Sequence, residues 1–323
     1  RFDMGRVEGY RNFCNKLWNA ARFVLMSTEA AEGTGPEALS QYDRWIRSRL
    51  QAAIAAVRDG FASYRFDQAA QAAYEFTWYE FCDWYLEFSK AVLQSQHSTI
   101  EERRGTRRTL IETLETLLRL LHPLMPFITE EIWQRVAPRA GMQGDSIMRQ
   151  PFPTLESSAL DPLAEAGTAL DQKFVLAIRQ VRGELDIAPS VRPALLLEGA
   201  SADEVKRFTA RDTPIWRLAG IGNVRPLAPG EAVPQSATAL VGDLKIHVPM
   251  AGLIDVEAEL ARLGKRRSKL EQELLRAESK LGNENFVRNA PPEVIAQERT
   301  RGVDFKRELA QLAQQHERVA LLR

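Results

Sequence analysis

The sequence predicts a mainly α-helical protein in three parts: an antiparallel helical bundle over residues 1–150, a small α+β domain over 151–250, and an antiparallel coiled-coil hairpin over 251–323. Three observations carry this. Apolar residues recur at helical spacing through the first half. Pro and Gly then rise and the long helical period breaks. The last seventy residues or so hold two heptad seams separated by a turn-forming stretch.

In the bundle, Val7, Tyr10, Cys14, Leu17, Trp18, Ala21 and Leu25 recur at three and four and predict a first helix. The stretch "STEAAEGTGPEALS" stops it. Asp43 is the expected N-cap of a second helix, buried through Trp45, Ile46, Leu50, Ile54 and Val57 and ended by Arg58, Asp59 and Gly60. Asp67 is the expected cap of a third, which carries Tyr74, Trp78, Phe81, Tyr85, Leu86 and Phe88. "TRRTLIETLETLLRLLHP" reads as a fourth helix closed by Pro123. "FITEEIWQRVAP" reads as a fifth, with Glu130 and Glu131 in an acidic first turn. Short links between five helices make an antiparallel bundle.

In the middle part, "AEAGTALDQKFVLAIRQVRGELDI" is one long helix and "PALLLEG" a strand. "SADEVKRFTA" is a short helix capped by Ser201. "ATALVGDLKIHVPM" is two strands joined at Gly242–Asp243. In the last part, Val256, Leu260, Leu263, Arg267, Leu270, Leu274, Ala277 and Leu281 form one seam. Ile295, Glu298, Gly302, Phe305, Leu309, Leu312, His316 and Val319 form the other. The turn "GNENFVRNAPPE" lies between them. At ~1.5 Å per residue each arm is roughly 40 Å long. The charged Arg267 in one seam and Gly302 in the other predict a loosening or bend.

The composition narrows the function. The chain has 323 residues, of which 45% are hydrophobic and 27% charged, as in folded soluble proteins. Such a length suits two or three domains. No apolar run approaches the ~20 residues of a membrane helix. Lys+Arg and Asp+Glu are both 43, which excludes a general basic coat while allowing local basic faces. Cys14 and Cys82 are too few for a disulfide scaffold or a four-Cys zinc site, and in helical patterns they read as buried free thiols in a reducing cytosol. The opening at Arg1, running straight into a helical pattern, predicts a piece of a longer chain.

The residues predict no active site. No phosphate-binding G-x-G-x-x-G follows a strand, and no G-x-x-x-x-G-K-[ST] occurs. His97, His122, His247 and His316 lie far apart without metal spacing, and no G-x-S-x-G elbow is present. We therefore expect no catalytic residue, no metal ligand and no cofactor within these residues. A hydrolase built on the scattered His and carboxylates has no spacing to support it.

What remains suits nucleic acid, with a plainer reading beside each feature. "RRGTRR" places Arg103, Arg104, Arg107 and Arg108 together, either for phosphates or as a solvated face paired with Glu101, Glu102 and Glu112. In the first arm, Arg262, Lys265, Arg266, Arg267, Lys269 and Arg276 stand against Glu271 and Glu273, a phosphate footprint or a solubility device. The ring-dense stretch Phe76–Phe88 must leave some rings at the bundle edge, where RNA bases stack, unless all of them pack helix on helix.

Three stretches, "RVEGYRNFCNKLWNAARFVLM" at 6–26, "EFCDWYLEFSK" at 80–90 and "LLHPLMPFITEEIW" at 120–133, resemble the valyl-tRNA synthetases. So do "GLIDVEAELARLGK" and "FVRNAPPEVI" near the end. The third stretch is shared with the Ile, Leu and Met enzymes. The absence of a Cys cluster near the C-terminus, expected of many isoleucine enzymes, also favours valine. The order of parts is similar too: anticodon-binding bundle, linker and tRNA-binding arm.

The resemblance implies that the parent enzyme joins valine to its tRNA with ATP and Mg. It also implies that the parent edits mischarged threonyl-tRNA, since a hydrophobic pocket discriminates poorly against an isostere. Neither catalytic motif of that class occurs in these residues, so this part is expected to be inactive alone, cytoplasmic and monomeric, with tRNA as its partner. By position, the resemblance assigns Phe23 and Leu86 to a splayed anticodon base, with Lys16 beside them. Asn15 and Asn19, and Asn12 on about the same side, could then read base edges. A ring and an aliphatic side chain can hold a base for roughly 1–3 kcal/mol. The resemblance assigns Arg276 and Arg301, with Arg266 on the same arm, to the tRNA elbow, where a guanidinium can stack on a base pair or meet phosphate. The competing expectation is a protein-interaction module whose arm pairs with another protein.

Overall fold

The computed structural model describes residues 4–29, 35–250, 256–282, 288 and 292–320. The architecture is the expected one: a helical bundle, a small mixed unit and a C-terminal helical hairpin.

The bundle begins with α1 (Met4–Ser27) and α2 (Gln41–Ala62). A long third rod follows: α3 (Phe66–Glu75), a π-helical stretch Phe76–Tyr85, and α4 (Leu86–Gln94). Then come α5 (Ile100–Leu121) and α6 (Pro126–Val136). Their shared core is built on Leu17, Ile46, Ile54, Phe76, Phe81, Phe88, Leu114 and Trp133.

Several local expectations are corrected. The buried face of α1 is Phe13, Leu17, Ala20, Ala21 and Val24, while Val7, Tyr10 and Trp18 face outward. Those three share the helical period but lie on the flank of the stripe. Ser40, not Asp43, caps α2, in a capping box with Asp43 as its third residue. The helix also runs through Gly60 to Ala62. Asp67 caps nothing and instead pairs with Arg65 at 2.8 Å. Thr99, with Glu102, caps α5. Pro126 opens α6, so Glu130 and Glu131 fall beyond its first turn. Cys82 is buried, as expected, but Cys14 is only partly so.

The middle unit packs α7 (Pro162–Glu184), α8 (Ala202–Thr209) and α9 (Pro214–Ala219) on a four-stranded sheet. Its strands are β1 (Ala194–Glu198), β2 (Asn223–Pro226), β3 (Ser236–Val241) and β4 (Leu244–Pro249), in the order β2-β1-β4-β3. The Ser201 cap and the β3–β4 hairpin are as expected, with Gly242 at φ +61° in the turn. The sequence reading missed α9 and β2. Each is short, and β2 pairs in parallel with β1, so no hairpin turn announces it.

The arm pairs α10 (Val256–Gly282) with α11 (Pro292–Ala320). Arg266 meets Glu308 and Lys280 meets Glu298, which fixes the antiparallel register. Leu263, Ala277 and Leu312 are buried in the seam, with Leu260 and Leu270 against them. Gly302 is buried within a continuous α11 and does not interrupt it, while Arg267 turns outward to Glu271. Most of the "GNENFVRNAPPE" turn, and the side chains of Val256, Arg262 and Val319, lie outside the described residues.

Candidate nucleic-acid interface

The first candidate surface lies between α1 and the α3–α4 rod. Phe13 stacks on Tyr74 (5.0 Å between centroids), and Tyr74 stacks on Trp78 (5.6 Å). Lys16 Nζ sits 3.8 Å from the Trp78 ring centre and 2.5 Å from Asp83 Oδ1. Two turns further along the same face, Lys90 Nζ lies 5.2 Å from the Phe23 ring. Lys16 with Asp83 and Phe23 with Lys90 are offset by the same number of residues. The two rods therefore run parallel, with Asn19 level with Leu86.

This arrangement brings together most of the predicted anticodon residues. Lys16 and Phe23 share one flank of α1, half-buried, as their seven-residue spacing implies. Asn12, Asn15 and Asn19 are exposed beside them. Leu86 is different. It is 6% exposed and packs into the bundle core, so the accessible apolar surface at this level belongs to Phe23. Lys90 is the residue the sequence reading missed, and only its i+4 spacing from Leu86 signals it. Among the rings of the rod, Tyr79 is exposed and Trp78 and Trp84 are partly so, while Phe76, Phe81 and Phe88 fill the core. Some rings thus stay at the bundle edge, so the cluster does not pack helix on helix throughout. Burial, then its neighbours Tyr79, Asp83 and Tyr10, hold the Tyr74 hydroxyl above its ordinary value, so it stays a neutral donor.

The π-helical stretch sets this surface. Leu86 N–H donates to Phe81 O, five residues back, where an α-helix would use Cys82. The wider turn shifts the phase of the following helix. Asp83 and Lys90 then face α1 while Phe88 still reaches the core.

The arginine run in α5 is largely tied into the fold. Arg108 Nε meets Glu112 at 2.5 Å, Arg107 Nε donates to Ser27 O, and Arg103 Nη1 donates to Ser98 O. The paired reading applies to Arg108. Arg103 and Arg107 also reach backbone carbonyls.

The second surface is on the arm. Arg276, on α10, and Arg301, on α11, line one cleft. Glu273 lies between them, 2.8 Å from Arg276 Nη1 and 3.9 Å from Arg301 Nη2. Arg301 also pairs with Glu298 at 3.1 Å and lies over the Phe305 ring. Lys280 completes the group through Glu298, whose carboxyl it holds below the ordinary range. Three cations thus share two carboxylates. Arg266 stands apart, paired with Glu308 at 2.6 Å. Lys265 and Lys269 are exposed and have no ion-pair partner among the described residues. Among those residues, no group of three His, Cys, Asp or Glu could hold a metal ion. No described helix is long and apolar enough to cross a membrane.

Two family models match this chain. One describes the anticodon-binding domain of tRNA ligase and covers residues 43–196. The other describes the valyl tRNA synthetase tRNA binding arm and covers residues 255–320. The bundle and the hairpin thus correspond to tRNA-recognising elements of an aminoacyl-tRNA synthetase. Within that class the match of the arm, over residues 255–320, is to the valyl-tRNA synthetases. The first match begins within α2, so α1 with Lys16 and Phe23 lies outside it.

Proposed function

We propose that this chain is the tRNA-recognition part of a valine–tRNA ligase. In this reading the α1/α3–α4 face holds the anticodon. Phe23 stacks a base, Lys16 and Lys90 meet phosphate, and Asn15 and Asn19 read base edges. Leu86 backs Phe23 from within the core. The arm holds the tRNA elbow through Arg276 and Arg301, with Arg266 along the same helix. The observation that carries the reading is the parallel register that sets Lys16, Asn19 and Phe23 along one flank of α1, level with Asp83, Leu86 and Lys90. The parent enzyme would activate valine with ATP and Mg, transfer it to tRNA and hydrolyse threonyl-tRNA, all through domains other than these. We further propose a cytoplasmic protein that acts as a monomer.

Binding of valine tRNA and of a non-cognate tRNA across a salt series tests this. We expect tight, salt-sensitive binding that prefers the valine tRNA. Phe23→Ala should weaken it by the loss of one stacked base, about 1–3 kcal/mol. Replacing Arg276 and Arg301 by Ala should lower the salt slope by about one each, equally for both tRNAs. The chain alone should show no valine-dependent ATP–pyrophosphate exchange. Equal, weak binding of both tRNAs would place valine specificity elsewhere. Concentration-dependent dimers without RNA affinity would favour the protein-interaction reading.

A further inference from the structure

A third basic surface lies where the bundle meets the α+β unit, and neither family match assigns it a role. A cleft of about 600 Å³ opens between the end of α4 and α9. Gln94 and His97 line it from the bundle, and Arg192, Trp216 and Arg217 line it from the other side. Asp212 is the one acid in the lining, and it faces His97 Nε2 at 3.2 Å.

The arginines here are satisfied by neutral oxygens. Arg182 donates to the carbonyls of Ala188, Val191 and Gly220, each at 2.9 Å. Arg179 donates to Leu218 O at 3.0 Å. These two close the C-terminal end of α9, where cations suit the helix dipole. Arg217 donates to the Gln94 side-chain oxygen. Arg192 is exposed and has no hydrogen bond or ion pair among the described residues. It lies close enough to Arg182 that a Cβ on Gly220 would meet both, 3.0 Å from Arg192 Nη1 and 3.3 Å from Arg182 Nη1. Gly220 sits at φ +66°, the left-handed conformation that glycine adopts at no steric cost.

A guanidinium held by carbonyls has no counter-charge, whereas the charge of one paired with a carboxylate is compensated by its partner. Most arginines of the bundle are of the second kind: Arg49 with Glu80, Arg119 with Glu115, Arg108 with Glu112. The junction thus concentrates uncompensated positive charge in a chain whose formal net charge is zero. Burial and the charge of Arg192 both lower the Arg182 pKa, the mark of like charges brought together. An anion entering the cleft relieves that repulsion. The cleft is open between two elements rather than a closed pocket, which leaves room for a phosphate that belongs to a longer chain.

We propose that this junction cleft holds the phosphodiester backbone of the bound tRNA, with Arg192 and Arg217 as the contacting cations. The proposal rests on the tRNA-binding reading above and adds a contact that neither the anticodon face nor the arm supplies. Phosphate contacts carry no sequence information, so the site adds affinity without choosing the tRNA.

The test is the double variant Arg192→Gln with Arg217→Gln, both exposed positions, leaving Arg179 and Arg182 in place. Binding of valine tRNA should weaken about tenfold at moderate salt, and the salt slope should fall by about two. A non-cognate tRNA should lose the same factor. The thermal midpoint should not move. A second probe is tripolyphosphate, followed by the ring NMR signals of His97. A saturable shift is expected in the wild-type chain and should vanish in the double variant. An unchanged affinity and slope in the double variant, in a chain where Phe23→Ala does weaken binding, would overturn the proposal and leave the anticodon reading intact. If the wild-type chain bound tripolyphosphate but no tRNA, the cleft would be a bare anion site, and both the RNA assignment and the reading beneath it would fall.

Discussion

Asp43 shows how one residue takes a role that its type alone does not reveal. Its carboxylate is fully buried and accepts from four donors: Ser40 N at 2.9 Å, Ser40 Oγ at 2.7 Å, Tyr85 OH at 2.6 Å and Thr106 Oγ1 at 2.9 Å. It thereby joins the start of α2 to the π-helical stretch and to α5. Burial raises its pKa, and the four hydrogen bonds oppose that shift. Asp43→Ala leaves the Tyr85 and Thr106 hydroxyls buried without this acceptor. We expect a loss of about 2–4 kcal/mol, read from urea unfolding. A loss under half a unit of that scale would mean that water replaces the carboxylate. Tyr85 ends the stretch that phases Asp83 and Lys90, so the same variant should also weaken anticodon binding.

At the scale of elements, the arm is held by its apolar seam and by a clasp near its turn end. Glu298, at a seam position, joins Lys280 across the hairpin and Arg301 on its own helix. The hydrogen bond from Lys280 lowers the Glu298 pKa first, and the charges of Lys280 and Arg301 add to it. A carboxyl held below its ordinary value of 4.5 contributes stability that is fully present above that value. That stability is lost as the pH falls through the lowered pKa. Amide protection factors in α10 and α11, which correct for the intrinsic pH dependence of exchange, should therefore fall on acidification below about 4.5, while the bundle keeps its protection. In Glu298→Gln the protection factors should already be low at neutral pH and should change little with acid. An arm equally protected in both proteins would show that the seam alone holds it.

Across the whole molecule, one buried polar junction links the first two cores. Asp171 on α7 is fully buried and accepts from Tyr42 OH and Gln41 Nε2, both at 3.1 Å, and from Arg207 Nε and Nη2, at 2.5 and 2.8 Å. Gln41 and Tyr42 begin the bundle's α2, and Arg207 belongs to α8 of the α+β unit. Asp171→Leu removes the acid and strands the Arg207 charge, at a cost of about 3–5 kcal/mol. Urea unfolding followed by fluorescence and by circular dichroism should then separate into two transitions. A single coincident transition would mean that apolar packing alone couples the two units.

The sequence by itself determined the three-part architecture, because helical period, heptad spacing and turn chemistry are local properties of the chain. It also determined the long elements, the Ser201 cap and the β3–β4 hairpin. It placed Lys16 and Phe23 on one face, since that follows from spacing alone. It brought Arg276 and Arg301 forward, though only by resemblance. Tertiary structure decided the rest. Whether Asp43 caps a helix or anchors three elements depends on Tyr85 and Thr106, which are distant in sequence. The parallel partner of β1 is a four-residue strand whose pairing lies outside any local pattern. The i→i+5 turns of Phe76–Tyr85 arise where a ring-dense stretch must fill the core on one side and meet α1 on the other. The junction cleft is the clearest case. Arg192 and Arg217 are unremarkable in sequence, and their charge becomes concentrated only because Arg182 and Arg179 are spent on carbonyls beside them.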